Sequence, residues 1–274
     1  MITLVNGCQT DQISVHDRGL AYGDGVFETL LIIRGEIPLW DYHLARLERS
    51  LTQLDITPYD TSPLLRLIKK YIDKSRQQIV KITVTRGIGP RGYAPPAHVK
   101  PTTIISIIDR ELEHDGNIKE GVKVAFCDTR YSRQAKLAGI KHLNRLEQVL
   151  ARSEIVQSGR DEGIMMDERG NVISATMHNL FLVEDGAIMT PDLTYSGVAG
   201  IMRELVITLA RDENIPVIIK EVSRHALLSS NELFLTNSIH GIWPICELDS
   251  NIMAVGEITS RLQTRVMEMI PYCD

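Results

Sequence analysis

No stretch of this 274-residue chain is long and apolar enough to span a bilayer. The N-terminus, MITLVNGCQTDQ, has neither a basic region nor an apolar run, so no secretory leader is expected there. Cysteine is sparse. Cys8, Cys127, Cys246 and Cys273 form no CxxC pair, and no histidine lies at zinc-ligand spacing from any of them. That argues against a disulfide framework and a metal site, and reduced thiols in a cytoplasmic protein are the expectation. Long basic runs are missing and the net charge is −5, so neither nucleic acid nor an anionic membrane is an expected partner. There is no internal repeat and no low-complexity tract. A dinucleotide fingerprint is lacking too. Gly87-Ile88-Gly89-Pro90-Arg91-Gly92 spells GxGxxG after a strand, but Tyr93-Ala94-Pro95-Pro96 follows where a helix would have to open. The loop reads instead as a sharp turn presenting Arg91.

What is present is ordinary globular composition, 43% hydrophobic and 24% charged, enough for one large or two medium domains. ITLV (2–5) reads as a strand closed by the turn dipeptide Asn6-Gly7. VFETLLII (26–33) reads as a buried strand, turned at Arg34-Gly35-Glu36 and returned by IPLW (37–40). Asp41 is the expected N-cap of a helix striped by Leu44, Leu47, Leu51 and Leu54. A helix over 62–75 and strands over 78–86 and 102–109 follow. The polar stretch beyond them is the best linker. It divides a smaller N-terminal part (1–112) from a larger C-terminal part (122–274) through a linker at 113–121. The second part reads as strands near 122–127, 162–167, 171–174, 178–184, 215–220 and 232–236. Asp185-Gly186 reads as a hairpin turn, and helices are expected over 200–214 and 256–270. Helices and strands mix without strict alternation, which gives an α/β or α+β class.

One stretch carries chemistry. In LAGIKHLNRLEQVLAR (137–152), Lys141 sits where a loop or strand end becomes a helix, and Leu143, Leu146, Val149 and Leu150 recur at helical spacing. A helix's positive end and apolar neighbours both disfavour an ammonium, and so favour the neutral amine that nucleophilic chemistry needs. A solvated surface lysine fits the same letters. Ser196-Gly197-Val198-Ala199-Gly200-Ile201-Met202-Arg203 opens a helix through small residues, as a phosphate site does, and also as a plain turn does. Thr236-Asn237-Ser238 ends a strand with the same two readings.

Together these residues resemble the fold-type IV pyridoxal-phosphate enzymes, which include branched-chain and D-amino-acid aminotransferases and aminodeoxychorismate lyases. The resemblance spans essentially the whole chain. It is most specific to the lyases at AGIKHLNRLEQVLAR, with DRGLAYGDGVFET (17–29), His43-Leu44-Ala45-Arg46-Leu47, RGIGPRGY (86–93) and GVAGIMRE (197–204) matching in order and spacing. It implies a two-domain D-amino-acid aminotransferase-like fold, with Lys141 in the larger C-terminal domain as the Schiff-base lysine and proton carrier. It implies pyridoxal 5'-phosphate bound by Arg46, by the backbone of Ile201 and Met202, and by Ser238. Thr29 lies against the reacting substrate, and Arg91 and Asn237 are partners for substrate carboxylates. It also implies a homodimer, the small-molecule substrate 4-amino-4-deoxychorismate and the products 4-aminobenzoate and pyruvate, with an aminotransferase for D- or branched-chain amino acids as the alternative. A non-catalytic protein binding a phosphorylated ligand on this scaffold is a further reading.

The sequence departs from the family pattern at one point. The family's glutamate five residues before the NLF asparagine, which pairs with the pyridine nitrogen, is replaced here by Ser174, ahead of Asn179-Leu180-Phe181. A neutral serine weakens the cofactor as an electron sink. Elimination that forms an aromatic ring tolerates that better than transamination does.

Overall fold

The computed structural model describes residues 1–98, 100–110 and 120–272. The chain forms two compact units, Met1–Glu111 with Ile140–Asn144, and Leu112–Gly139 with Arg145–Asp274. Most of the linker expected at 113–121 lies outside the described residues. The sequence placed Lys141 with the C-terminal part. The segment carrying it folds with the first unit instead, bridging Val26 through His142.

The first unit is a five-stranded antiparallel sheet in the order Cys8–Gln9, Ile2–Val5, Thr102–Asp109, Gln78–Thr85, Gly25–Ile32. Alternation along the strands buries Val26, Leu30, Ile32, Val80, Ile82, Ile105 and Ile107 on one face, against Leu47 and Leu51 of the helix Trp40–Gln53. That helix departs from expectation in two ways. Its N-cap is Leu39, in left-handed geometry, and Asp41 lies in the first turn without capping it. Its buried face also carries the polar residues His43, Arg46 and Ser50. IPLW does not return as a strand. Only an isolated Ile33–Glu36 bridge forms, because Trp40 already begins the helix. The helix expected over 62–75 is shorter, Pro63–Lys69, with Pro63 in its first turn.

The second unit is built on a ten-stranded mixed sheet. Its centre runs Asn179–Glu184, Glu232–Asn237, Gly241–Leu248, Val122–Tyr131, Glu162–Asp167, Asn171–Ala175. Val122–Tyr131 pairs in parallel with both Gly241–Leu248 and Glu162–Asp167, the other pairings of this centre are antiparallel, and so the class is α+β. Leu180, Leu182, Leu233, Leu235, Ile245 and Val124 fill its core. Helices Leu146–Ser158, Ile201–Asp212, Arg224–Ser229 and Glu257–Met269 belong to this unit. The helix after Lys141 opens only at Leu146, so Lys141 and Leu143 precede it in sequence and belong to none of its turns. Its apparent apolar stripe is the outer face: Leu146, Val149 and Leu150 are 77%, 60% and 59% exposed, and Ala151 and Ile155 are buried.

Among the described residues no helix is long and apolar enough to cross a membrane, and no cluster of side chains suits a metal ion. Cys8, Cys127 and Cys246 are free thiols. Burial, reinforced by Glu154 and Glu162, pushes Cys127 up to about 12, which removes it as a nucleophile.

Candidate active site

In the first unit the segment Ile140–Asn144 is laid along the start of the strand Gly25–Ile32. The Phe27 amide donates to the Lys141 carbonyl (2.9 Å) and the Leu143 amide to the Gly25 carbonyl (3.0 Å). The Asn144 side chain donates to the Gly23 carbonyl (3.2 Å). These bonds fix the backbone of Lys141, and its Nζ stands 4.6 Å from the centroid of the Phe27 ring. Lys81 approaches the same ring at 5.0 Å. Phe27 and Thr29 share the half-buried face of their strand, and Thr29 is directly opposite Lys81 in register. Lys141, Phe27, Thr29 and Lys81 therefore make one polar-aromatic surface. Lys81 is a member the sequence reading missed, because a lone lysine in the strand QIVKITVT has no distinguishing signal.

Glu28 points the other way, toward the helix Trp40–Gln53. Its carboxylate is almost fully buried and accepts from Arg46 Nε (2.7 Å) and Nη2 (2.6 Å) and from His43 Nδ1 (2.7 Å). Burial alone would raise this carboxyl. The charge and hydrogen bonds of Arg46, then the hydrogen bond from His43, outweigh burial and pull it down to about 2. Burial pushes the His43 imidazole below its ordinary value, so it is neutral at pH 7. The expected phosphate arginine thus sits in a buried network, held along its Nε–Nη2 edge. Arg91 lies apart from these groups in sequence, exposed on the loop after Gln78–Thr85.

The second unit carries the other candidates. The helix Ile201–Asp212 starts at Gly200, and no side chain caps it. Its first-turn amides are the donors a phosphate uses. Asn179 braces this start: its Nδ2 donates to the Val198 carbonyl (2.9 Å), and its Oδ1 packs so tightly on Gly200 that a Cβ there would collide with it. Thr236 is register partner to Asn179, and its hydroxyl is buried without a hydrogen-bond partner. An uncapped helix start beside a strand that buries an unsatisfied hydroxyl is what a phosphate monoester would complete, so these residues fit the cofactor. The chain just before Lys141 belongs to the same framework: the Gly139 amide donates to the Gly197 carbonyl and the Ala199 amide to the Gly139 carbonyl, both at 3.0 Å.

Asn237 and Ser238 follow Thr236. The Asn237 Oδ1 accepts from the amides of Ile239 (2.9 Å) and His240 (2.7 Å), which folds the turn and leaves the Nδ2 end facing His240 Nδ1 at 3.2 Å. Ser174 is buried, with its Oγ 2.9 Å from the Tyr131 hydroxyl and from the Ala175 carbonyl. Burial holds the Tyr131 phenol above its ordinary value, so both partners of Ser174 are uncharged. A buried acid does lie on the neighbouring strand. Glu162 accepts from His178 Nδ1 (2.7 Å), from the Thr176 hydroxyl and from the Gly163 amide (2.8 Å). Burial would raise it, but His178 and then Thr176 outweigh that and pull it down to about 2. Glu162 is thereby committed to shaping the turn Thr176–His178 that delivers Asn179.

The first unit thus offers a lysine set against an aromatic ring, and the second an uncapped helix start that suits a phosphate. The chain belongs to the amino-transferase class IV family, whose model matches residues 25–248. It is similar to the aminodeoxychorismate lyase of Vibrio harveyi, with 34% identity over 94% of this chain and 97% of that protein. It is also 32% identical to a putative branched-chain-amino-acid aminotransferase of Methanocaldococcus jannaschii, over 94% of this chain and 91% of that protein. Among solved structures, the 4-amino-4-deoxychorismate lyase of Pseudomonas aeruginosa superposes with a TM-score of 0.93 and 42% identity, covering 98% of this chain and 99% of that one.

Proposed function

We propose that the chain is an aminodeoxychorismate lyase that binds pyridoxal 5'-phosphate and splits 4-amino-4-deoxychorismate into 4-aminobenzoate and pyruvate, a step in making folate. The observation that carries the choice of reaction is the full-length likeness to the Pseudomonas aeruginosa lyase at 42% identity. The cofactor, when bound, supplies an electron sink conjugated to the substrate's amine.

The residues divide the work. Lys141 holds the cofactor, and its amine takes the proton from the ring carbon that bears the substrate's nitrogen. The ether C–O bond then breaks, the ring becomes aromatic, and the enolpyruvyl methylene receives a proton from Lys141 or through Thr29 to give pyruvate. Arg46, the amides of Ile201 and Met202, and Ser238 are the groups that would hold the phosphate, and the Thr236 hydroxyl is a further candidate donor. Arg91 and Asn237 receive the substrate's carboxylates, with Lys81 a further cation facing Thr29. Ser174, hydrogen-bonded to Tyr131 and the Ala175 carbonyl, would offer the cofactor a neutral partner in place of an acid.

Purified protein supplied with pyridoxal phosphate and 4-amino-4-deoxychorismate should release pyruvate with no keto acid present. No pyruvate from this substrate, with amine transfer from a D- or branched-chain amino acid to an added keto acid, would instead mark the aminotransferase reading, which the Methanocaldococcus jannaschii relative favours. Ser174→Glu puts a charged partner where the neutral one stands, and should raise the rate at which D- or branched-chain amino acids convert the bound cofactor to its amine form. A rate no higher than that of the parent protein would remove Ser174 as the reason for favouring elimination. The homodimer is supported by the outward apolar face of Leu146, Val149 and Leu150. Sedimentation equilibrium should return twice the 30.8 kDa chain mass, and a monomer would discard it. A cytoplasmic location accords with the free thiols.

A further inference from the structure

The motif Asp17-Arg18-Gly19-Leu20-Ala21-Tyr22-Gly23-Asp24 has no part in the chemistry above, yet it contains a nearly fully buried arginine. Arg18 does not face a ligand. Its Nε donates to Asp24 (2.8 Å), Nη1 to the Gly92 carbonyl (2.9 Å) and Nη2 to the Tyr93 carbonyl (3.0 Å). The Ala94 carbonyl is 3.5 Å from Nη1. One guanidinium thus gathers consecutive carbonyls of the loop that follows Gln78–Thr85.

The rest of the motif fastens the same loop. The Arg18 amide donates to the Gly87 carbonyl (2.9 Å), the Gly89 amide to the His16 carbonyl (3.2 Å), and the Gly92 amide to the Tyr22 hydroxyl (2.9 Å). The Tyr22 and Tyr93 rings meet edge to face at 5.5 Å, and Arg18 lies 4.8 Å from the Tyr22 ring. Gly89 is required where Arg18 passes: a Cβ there would sit 2.8 Å from Arg18 Cδ. Asp24 balances the charge, and it also holds Arg86 Nε at 2.8 Å. Burial would raise the Asp24 carboxyl, but hydrogen bonds from Arg86 and Arg18 outweigh it and keep it ionised. Arg91 sits between the anchored residues Gly89 and Gly92, exposed while its neighbours are tied down.

We propose that Arg18 is the positioning residue for Arg91: by gathering the carbonyls of Gly92 and Tyr93 it holds the loop in one shape, so that Arg91 meets a substrate carboxylate without first ordering its backbone. This rests on the reading of Arg91 as a carboxylate partner. Only a guanidinium fits the task, because its planar fork serves a carboxylate and two separate carbonyls at once, which an ammonium cannot do from one position. Preorganisation of this kind appears in binding and leaves the chemical step alone.

The test compares Arg18→Lys, Tyr22→Phe and Arg91→Gln in the full-length, cofactor-loaded protein. Arg18→Lys should speed hydrogen exchange of the 87–95 amides and raise KM by about tenfold, the equivalent of one lost charge-assisted hydrogen bond. The kcat and the absorbance of the bound cofactor should stay as in the parent. Tyr22→Phe keeps the ring beneath Arg18 and removes only the hydroxyl, so it carries the test if Arg18→Lys does not fold. It should free the Gly92 amide and raise KM less. Faster exchange with an unchanged KM overturns the proposal, and so does unchanged exchange. If Arg91→Gln also leaves KM unmoved, the carboxylate reading fails and this proposal falls with it. If Arg91→Gln alone raises KM, the reading stands and only the role of Arg18 is lost.

Discussion

Replacing Lys141 with alanine should reduce pyruvate release to the background rate, a loss of about 10⁴-fold or more, while the protein stays folded. Proton transfer by one positioned group is typically worth about 10² to 10⁴ in rate, and in the proposed mechanism the same amine both removes a proton and holds the cofactor. The fold should survive because the bonds that place this segment are made by backbone. The Phe27 amide still finds the carbonyl of residue 141, and Leu143 still bonds Gly25. Among the side chain's contacts is its stand-off over the Phe27 ring, worth about 1 kcal/mol or less at a half-exposed site. Lys81 remains beside that ring, so the loss would report missing amine chemistry and not missing charge. Pyruvate assay, circular dichroism and borohydride fixation of the cofactor read the three parts separately. Normal turnover in the alanine variant would end the lyase mechanism given above.

Much of the frame was legible because it is written in local periodicity. The strands read at 78–86, 102–109 and 162–167 are found at Gln78–Thr85, Thr102–Asp109 and Glu162–Asp167. The helix read over 256–270 is Glu257–Met269, and Asp185-Gly186 does join two antiparallel strands. Periodicity gives a face but not what covers it, which is why Leu146, Val149 and Leu150 looked like core and are exposed. The site was legible only at residues with a local signal, such as the glycines before Ile201. Its supports were not. Glu28 looks like the one charged residue of a buried strand until His43 and Arg46 arrive from the next helix. Arg18 has no meaning until residues near Gly92 fold back onto it, and Asn179 none until Gly200 packs against it. Contacts between residues far apart in sequence leave no pattern in either stretch, and these supports consist of little else.

The same buried carboxylates set how the protein should respond to acid. Glu28 in the first unit and Glu162 in the second each have a folded value of about 2, against an ordinary 4.5. A folded value below the unfolded one means that ionisation favours the folded state. The contribution is complete above about pH 4.5 and is lost as pH falls from there through the folded value of about 2. A gap of this size corresponds to about 3 kcal/mol per carboxylate near pH 7. Since one lies in each unit, acid should loosen both units over the same range. Glu28→Gln isolates the first. It keeps the shape but leaves Arg46 buried without its counter-charge, a loss of about 3 to 5 kcal/mol at pH 7. Because the parent surrenders its Glu28 contribution on acidification and the variant has none to surrender, the stability difference between them should shrink steadily below pH 4.5. Urea unfolding at several pH values measures that difference. The same variant also tests the support given to Arg46, since a guanidinium that loses the Glu28 carboxylate is held less firmly, and affinity for pyridoxal phosphate should fall with the stability. A difference that stays constant down to pH 2 would mean that the Glu28 carboxylate is not the group whose ionisation holds His43 and Arg46 in place.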